Sequence, residues 1–407
     1  MMSLSAILLT NGLGHSMKNH IAAQPINDKC ERPRFDGQWA KYDALSDDQL
    51  RDVFRSVIRR GEPGLVSHGL RGFAATLFVY GIIGMSDYVA VFGGQAARHL
   101  TLNADGRFVD MTSGADATQL ARSYSRAKHG SIEDIRSLAG MVVSMLECEL
   151  LNPSSDWRRL FEHAREHGES IVMFTTGWRN VPSTANVLFG IVLEHINVLL
   201  AGLDLPTIID VKLPRIAPPC ENYPSLSTLE RQRISATQDH VIPGPNFYRW
   251  SSVHVIFGDD VLVTGATADK VFAESMKNGA RSFRSIYPVA LDPSVVLHDP
   301  AIEEQINTTE VAGELNEVVA DFLAHRDNVP ILRALRLVFS ASNLHALPNL
   351  LHRLPAANVL DLYVSALGNE FQRETSCIDS LAMVRRHLTV CGLLNDRGIP
   401  LASWEES

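Results

Sequence analysis

Apolar positions in this chain fall into two kinds of run. Short unbroken stretches at 170–174, 207–213, 253–258 and 283–291 have the length and content of strands buried on both faces. Between them lie longer stretches with apolar residues at three- and four-residue spacing, at 155–167 and 184–200. A third such stretch places Ala268, Val271, Phe272, Ser275 and Met276 on one face and ends at Asn278-Gly279, which suits a left-handed helix end. The order is strand, helix, strand, long segment, strand, helix, strand. Alternation of this kind predicts an α/β fold, a parallel sheet with helices on its faces and ligands at the carboxyl ends of the strands.

The flanks read differently. Residues 1 to about 45 are irregular, and Asn11-Gly12-Leu13-Gly14-His15 has no strand and helix around it that would make it a phosphate loop. Ser46 starts a helix at Asp47–Arg60 with Leu50, Val53, Phe54 and Val57 on one face, stopped by Glu62-Pro63-Gly64. Residues 65–95 fit a helix or two buried strands. Leu102–Phe108 reads as strand, Asp-Gly turn, strand, and helical patterns follow at 115–128 and 131–149, the second opened by a Ser131 and Asp134 capping pair. From about Val295 helical patterns dominate, at 300–306, 310–325, 331–339, 344–351, 359–368 and 378–394. Three regions result: an N-terminal α+β extension (1–150), an α/β core (151–294) and a helical C-terminal region (295–407).

With 407 residues, 45% of them hydrophobic and 20% charged, a globular chain with a sizeable core is expected. The net charge of −9 argues against a nucleic-acid partner. No run is expected to span a membrane, and Met1–Thr10 lacks the basic flank of a signal peptide. Cys30, Cys148, Cys220, Cys377 and Cys391 are scattered and odd in number, which fits reduced thiols in a cytoplasm. His345 and His352 are seven apart without a third ligand, so they are read as surface residues.

Chemistry concentrates where the strand at 253–258 ends. Asp259 and Asp260 come first, then Val261 to Val263, then Thr264-Gly265-Ala266-Thr267 at a helix start. Free N–H groups of a helix start, joined by threonine hydroxyls, form an anion site, and Gly265 lets the backbone approach closely. Two carboxylates repel phosphate but accept hydrogen bonds from vicinal hydroxyls or hold hydrated Mg²⁺. A sugar 5-phosphate satisfies both halves.

The run Val255–Thr267 resembles the phosphoribosyl-diphosphate (PRPP) motif of type I phosphoribosyltransferases. The resemblance implies a phosphoribosyltransferase-like core in which Asp259 and Asp260 bind the ribose hydroxyls and Mg²⁺, while Val263, Thr264, Gly265, Ala266 and Thr267 cradle the 5-phosphate. It further implies a diphosphate loop at 175–180, where Thr176, Gly177 and Arg179 fit and Trp178 is unusual. The family's mobile hood corresponds to the proline-rich segment 216–250. Lys212, Arg215, Arg231 and Arg233 are the cations there, and Glu221 and Glu230 the candidate bases. Val263 stands where the hypoxanthine and guanine enzymes carry an acidic residue, which argues against 6-oxopurine acceptors. The expected activity is transfer of a 5-phosphoribosyl group from PRPP to a small-molecule acceptor with a hydroxyl or amine nucleophile, releasing diphosphate, in a cytoplasmic homodimer. The alternative is a non-catalytic sensor of PRPP or a nucleotide.

Overall fold

A computed structural model describes residues 37–60, 68–91, 94–177, 180–212, 252–299 and 301–401. Its centre is one sheet. Strands β1 (Gly94–Leu102), β2 (Phe108–Asp110), β3 (Ser170–Phe174), β4 (Ile208–Val211), β5 (Val253–Gly258), β6 (Val261–Leu262) and β7 (Ser282–Leu291) are ordered β2-β1-β7-β5-β3-β4, with β6 beside β7. Every pairing is parallel except that of β1 with β2. The protein is thus α/β with a mixed, mostly parallel sheet.

Both faces are covered. Helices α1 (Asp47–Arg60), α2 (His68–Val79), α3 (Met85–Ala90), α4 (Thr118–Lys128), α5 (Ile132–Leu151), α6 (Asp156–His167), α7 (Thr184–Gly202) and α8 (Ala266–Lys277) pack on the sheet. Ile171, Met173 and Ile256 point to the face built from α4 to α7. Val172, Phe174, Val255 and Phe257 point to the other, with α1 to α3 and α8. This is why the core strands read as unbroken apolar runs rather than alternating ones.

Local signals account for many boundaries. Gln49 N donates to Ser46 Oγ and Ser46 N to the Gln49 side chain, which caps α1. Ser131 Oγ accepts from Asp134 N at the start of α5. Gly106, with φ +73°, makes the turn between β1 and β2. The segment 65–95 resolves into helices α2 and α3 where it is described, followed by the start of β1. Its strand alternative fails except at that end, because β1 needs β7, nearly two hundred residues further on, as its neighbour. The helix expected at 310–325 shrinks to Glu317–Leu323, since Gly313 takes φ +91° and the Asn316 side chain caps the start at Val319 N.

Residues before and after 150 share the same core, which runs from Leu100 to Ile306. Helices α9 (Pro293–His298), α10 (Ile302–Asn307), α11 (Glu317–Leu323), α12 (Leu332–Phe339), α13 (Leu347–Arg353), α14 (Ala356–Gly368) and α15 (Ile378–Val390) follow. The last five enclose a core of their own that also takes in Val181. The expectation that no stretch reaches membrane-spanning length is corrected by α7, which is long and apolar enough to do so. Its Leu188, Phe189, Val192, Ile196 and Leu200 are buried in the core.

Candidate functional site

The sheet changes direction between β3 and β5. From β3 the chain crosses by α7 to β4 on one side, and from β5 by α8 to β7 on the other. The two helices lie on opposite faces. The carboxyl ends of β3 and β5 are therefore a topological switch point, the place where open α/β sheets take ligands. Thr175, Thr176 and Gly177 leave β3 there, and Asp259 and Asp260 leave β5 beside them, since Phe174 pairs with Phe257.

The acid pair interrupts a ladder without shifting it. Gly258 pairs with Ile286 and Val261 with Val289, so the two aspartates lie opposite Tyr287 and Pro288. Pro288 has no N–H to give, which releases the backbone of β5 at this point. Asp259 N still donates to Ile286 O at 3.2 Å. Gly258 is required by a neighbour: a Cβ would lie 2.6 Å from the Phe189 ring of α7.

Asp260 is buried and is paired with Lys128, whose Nζ lies 2.6 Å from Oδ2. Lys128 is the last residue of α4, and sequence reasoning did not find it. Its only sequence signal is a position in the last turn of a helix, where a cation is ordinary. Asp260 N donates to Asp259 Oδ1 at 3.0 Å. Asp259 keeps some surface open, yet its carboxyl is packed closely. Burial, and next the Asp260 carboxylate, push it up to about 8 against a downward pull from Lys128. One turn before Lys128, Tyr124 is fully buried and its hydroxyl has no partner among the described residues. Burial, then the Asp260 charge, hold its phenol well above the ordinary value, so it stays a neutral donor. Two carboxylates that repel each other against one ammonium suit a divalent cation by charge and by donor type.

At the α8 start Gly265 adopts φ +69°, and no side chain of Gly265 can cap the helix. Ala266 N donates to Thr264 Oγ1 at a long 3.4 Å. Thr264, Ala266 and Thr267 are exposed and Val263 is half-buried against the core. The loop after β3 is tied to α7: Asn186 Nδ2 donates to Thr175 Oγ1 at 2.6 Å and to Thr176 O at 3.0 Å, and Thr176 shares a hydrogen bond with Ser183. The C-terminal helices reach this loop, where Asn180 Nδ2 donates to Gly368 O. Trp178, Arg179, the hood at 216–250 with Glu221 and Glu230, Arg215, Arg231, Arg233 and residues 1–36 of the N-terminal arm lie outside the described residues, while the end of the arm, read as irregular, forms a short 3-10 helix at Gly37–Tyr42. His345 bonds its own turn at Ser342 O, while His352 stands edge-on to His387 at 6.2 Å.

No family model, curated protein or solved structure matches the chain.

Proposed function

We propose that the chain binds PRPP at the switch point between β3 and β5 and transfers its phosphoribosyl group to a small-molecule acceptor, releasing diphosphate. One observation carries this reading. A carboxylate pair stands at the carboxyl end of β5, at the point where the sheet changes direction, and is followed within a few residues by the open start of α8. On this reading a diol acceptor and an anion cradle stand at one switch point, as a sugar 5-phosphate requires.

In this account the ribose hydroxyls donate to Asp259 and Asp260, and the 5-phosphate lies at the backbone of Thr264–Thr267, at the α8 start. Thr176 and Gly177 stand on the neighbouring strand end, on the side the diphosphate would occupy. Lys128 holds Asp260 in place and keeps the pair from repelling the ligand outright. Mg²⁺, held by Asp259 and Asp260, would supply charge neutralisation for the departing diphosphate. The protein's share is positioning and electrostatic stabilisation. By the same reading residues 151–294 form a phosphoribosyltransferase-like core. Its flanks supply further walls for the acceptor or a homodimer contact.

The test is direct. PRPP and Mg²⁺ are incubated with the chain and a panel of hydroxyl and amine acceptors, and diphosphate is measured. Release that depends on one acceptor and disappears in Asp260→Asn is the expected result. PRPP binding with no release from any acceptor would turn the reading to a sensor, and no PRPP binding would end both.

A further inference from the structure

A second cluster lies at the opposite end of the same strands, before β3 and at the start of β5. His163 is on α6, Glu169 follows the left-handed Gly168 that ends α6, and His254 is the second residue of β5. His254 Nε2 is 2.7 Å from Glu169 Oε2, and His163 Nε2 is 3.4 Å from the same oxygen. One ligand atom from each of the three lies within 4.8 Å of the others. The remaining oxygen, Oε1, faces Arg281 Nε at 3.4 Å, so the carboxylate is held with Oε2 toward the two imidazoles. The other ring nitrogen of His254 bonds Ser282 Oγ at 2.7 Å.

We infer that His163 Nε2, Glu169 Oε2 and His254 Nε2 form a site for a divalent transition-metal ion of the zinc class, clamping α6 to the amino ends of β3 and β5. Two imidazoles and a carboxylate are the donors of such an ion and not of Mg²⁺ or Ca²⁺. A tetrahedral ion with bonds of about 2.0 Å sets its ligands roughly 3.3 Å apart. The observed 2.7 and 3.4 Å therefore need only a small opening. Ser282 serves both states. Without metal, Nε2–H donates to Glu169 and Nδ1 accepts from the hydroxyl. With metal, Nδ1–H donates to the hydroxyl and the Nε2 lone pair takes the ion, an outer contact of the kind that orients metal-bound histidines. The protonation states are suitable too. Burial above all holds His254 below its ordinary value. Burial works against the Glu169 carboxylate, but the His254 hydrogen bond and the Arg281 and His163 charges together keep it low. Three protein ligands leave a fourth position to water.

The untagged full chain, stripped with a chelator and freed of it, is titrated with Zn²⁺ against a chromogenic indicator and separately with Co²⁺. The wild type should take one equivalent. His163→Ala removes a partly exposed side chain and should fold, as circular dichroism would verify, yet lose that equivalent. Glu169→Gln should lose it as well, and Ser282→Ala should weaken it by about 10–100-fold. The Co²⁺ spectrum should show nitrogen and oxygen ligation without a thiolate charge-transfer band. Absence of stoichiometric Zn²⁺ would overturn the inference. So would binding undiminished in both ligand variants, or a thiolate band, which would move the metal to Cys391 beside His387.

Discussion

Lys128 and Asp260 meet across 132 positions of sequence at 2.6 Å, with the carboxylate buried. Breaking such a pair leaves an unpaired buried charge, so Lys128→Met should destabilise the protein by roughly 3–5 kcal/mol. Combining it with Asp260→Asn should return part of that loss, because the pair and not the lysine stem carries the effect. Denaturant unfolding of the two singles and the double measures this; additive losses would show that the residues act separately. Asp259 makes a different prediction. Its folded carboxyl titrates about 8 against an ordinary 3.8, so the folded state holds the proton more tightly. This penalty is absent below the ordinary value and grows as pH rises through the window up to about 8. Asp259→Asn should therefore melt higher than wild type at pH 8 and about equal to it at pH 4. Parallel pH profiles of the two proteins would contradict the assignment. No residue pattern announced either effect, since the first needs Lys128 of α4 at the end of β5 and the second needs the burial of Asp259 beside Asp260.

The unit β5–α8–β7 was legible because each of its signals is local. The apolar run gives a strand buried on both faces, Ala268 and Ser275 are buried on the α8 face that spacing marked, and Gly279 takes φ +87° just past the helix end. The fit of β5 beneath α7 was not legible, since it rests on Gly258 meeting Phe189 from a helix more than sixty residues earlier. Gly258→Ala places a Cβ 2.6 Å from that ring, with no room to spare in a buried contact. The expected cost is about 1–3 kcal/mol of stability, partly relieved by Phe189→Leu. A Gly258→Ala melt equal to wild type would show that α7 yields freely at the site. Gly265 is held in the left-handed region at the α8 start, where Gly265→Ala should cost about 1 kcal/mol and distort the proposed anion cradle. Sulfate or phosphate protection of α8 against hydrogen exchange should be lost in that variant.

At the scale of the molecule, the class was readable from the alternation of strands and helices, while the long-range joins were not. β1 comes from the N-terminal segment yet pairs with β7, so residues before and after 150 fold as one sheet. The C-terminal helices take in Val181, on the loop next to the switch point. Ser125 Oγ accepts from the N–H groups of Glu310 and Val311 at 3.1 Å and donates to Asn307 O, binding α4, the helix of Tyr124 and Lys128, to that same region. Both flanks thus border the candidate site. If Asp259 must ionise to accept from the ribose, PRPP affinity should rise with pH toward about 8 and binding should release a proton, seen as a buffer-dependent calorimetric heat.

The most direct measurement is a calorimetric titration of PRPP with Mg²⁺ into the wild type and into the Asp259→Asn, Asp260→Asn double variant, with both shown to be folded. The account predicts saturable binding at one site per chain in the wild type. It predicts a loss of up to roughly 3–6 kcal/mol in the variant, for two charge-assisted hydrogen bonds of about 1.5–3 kcal/mol each. Equal affinity in the two proteins, or no binding to the wild type, would contradict it.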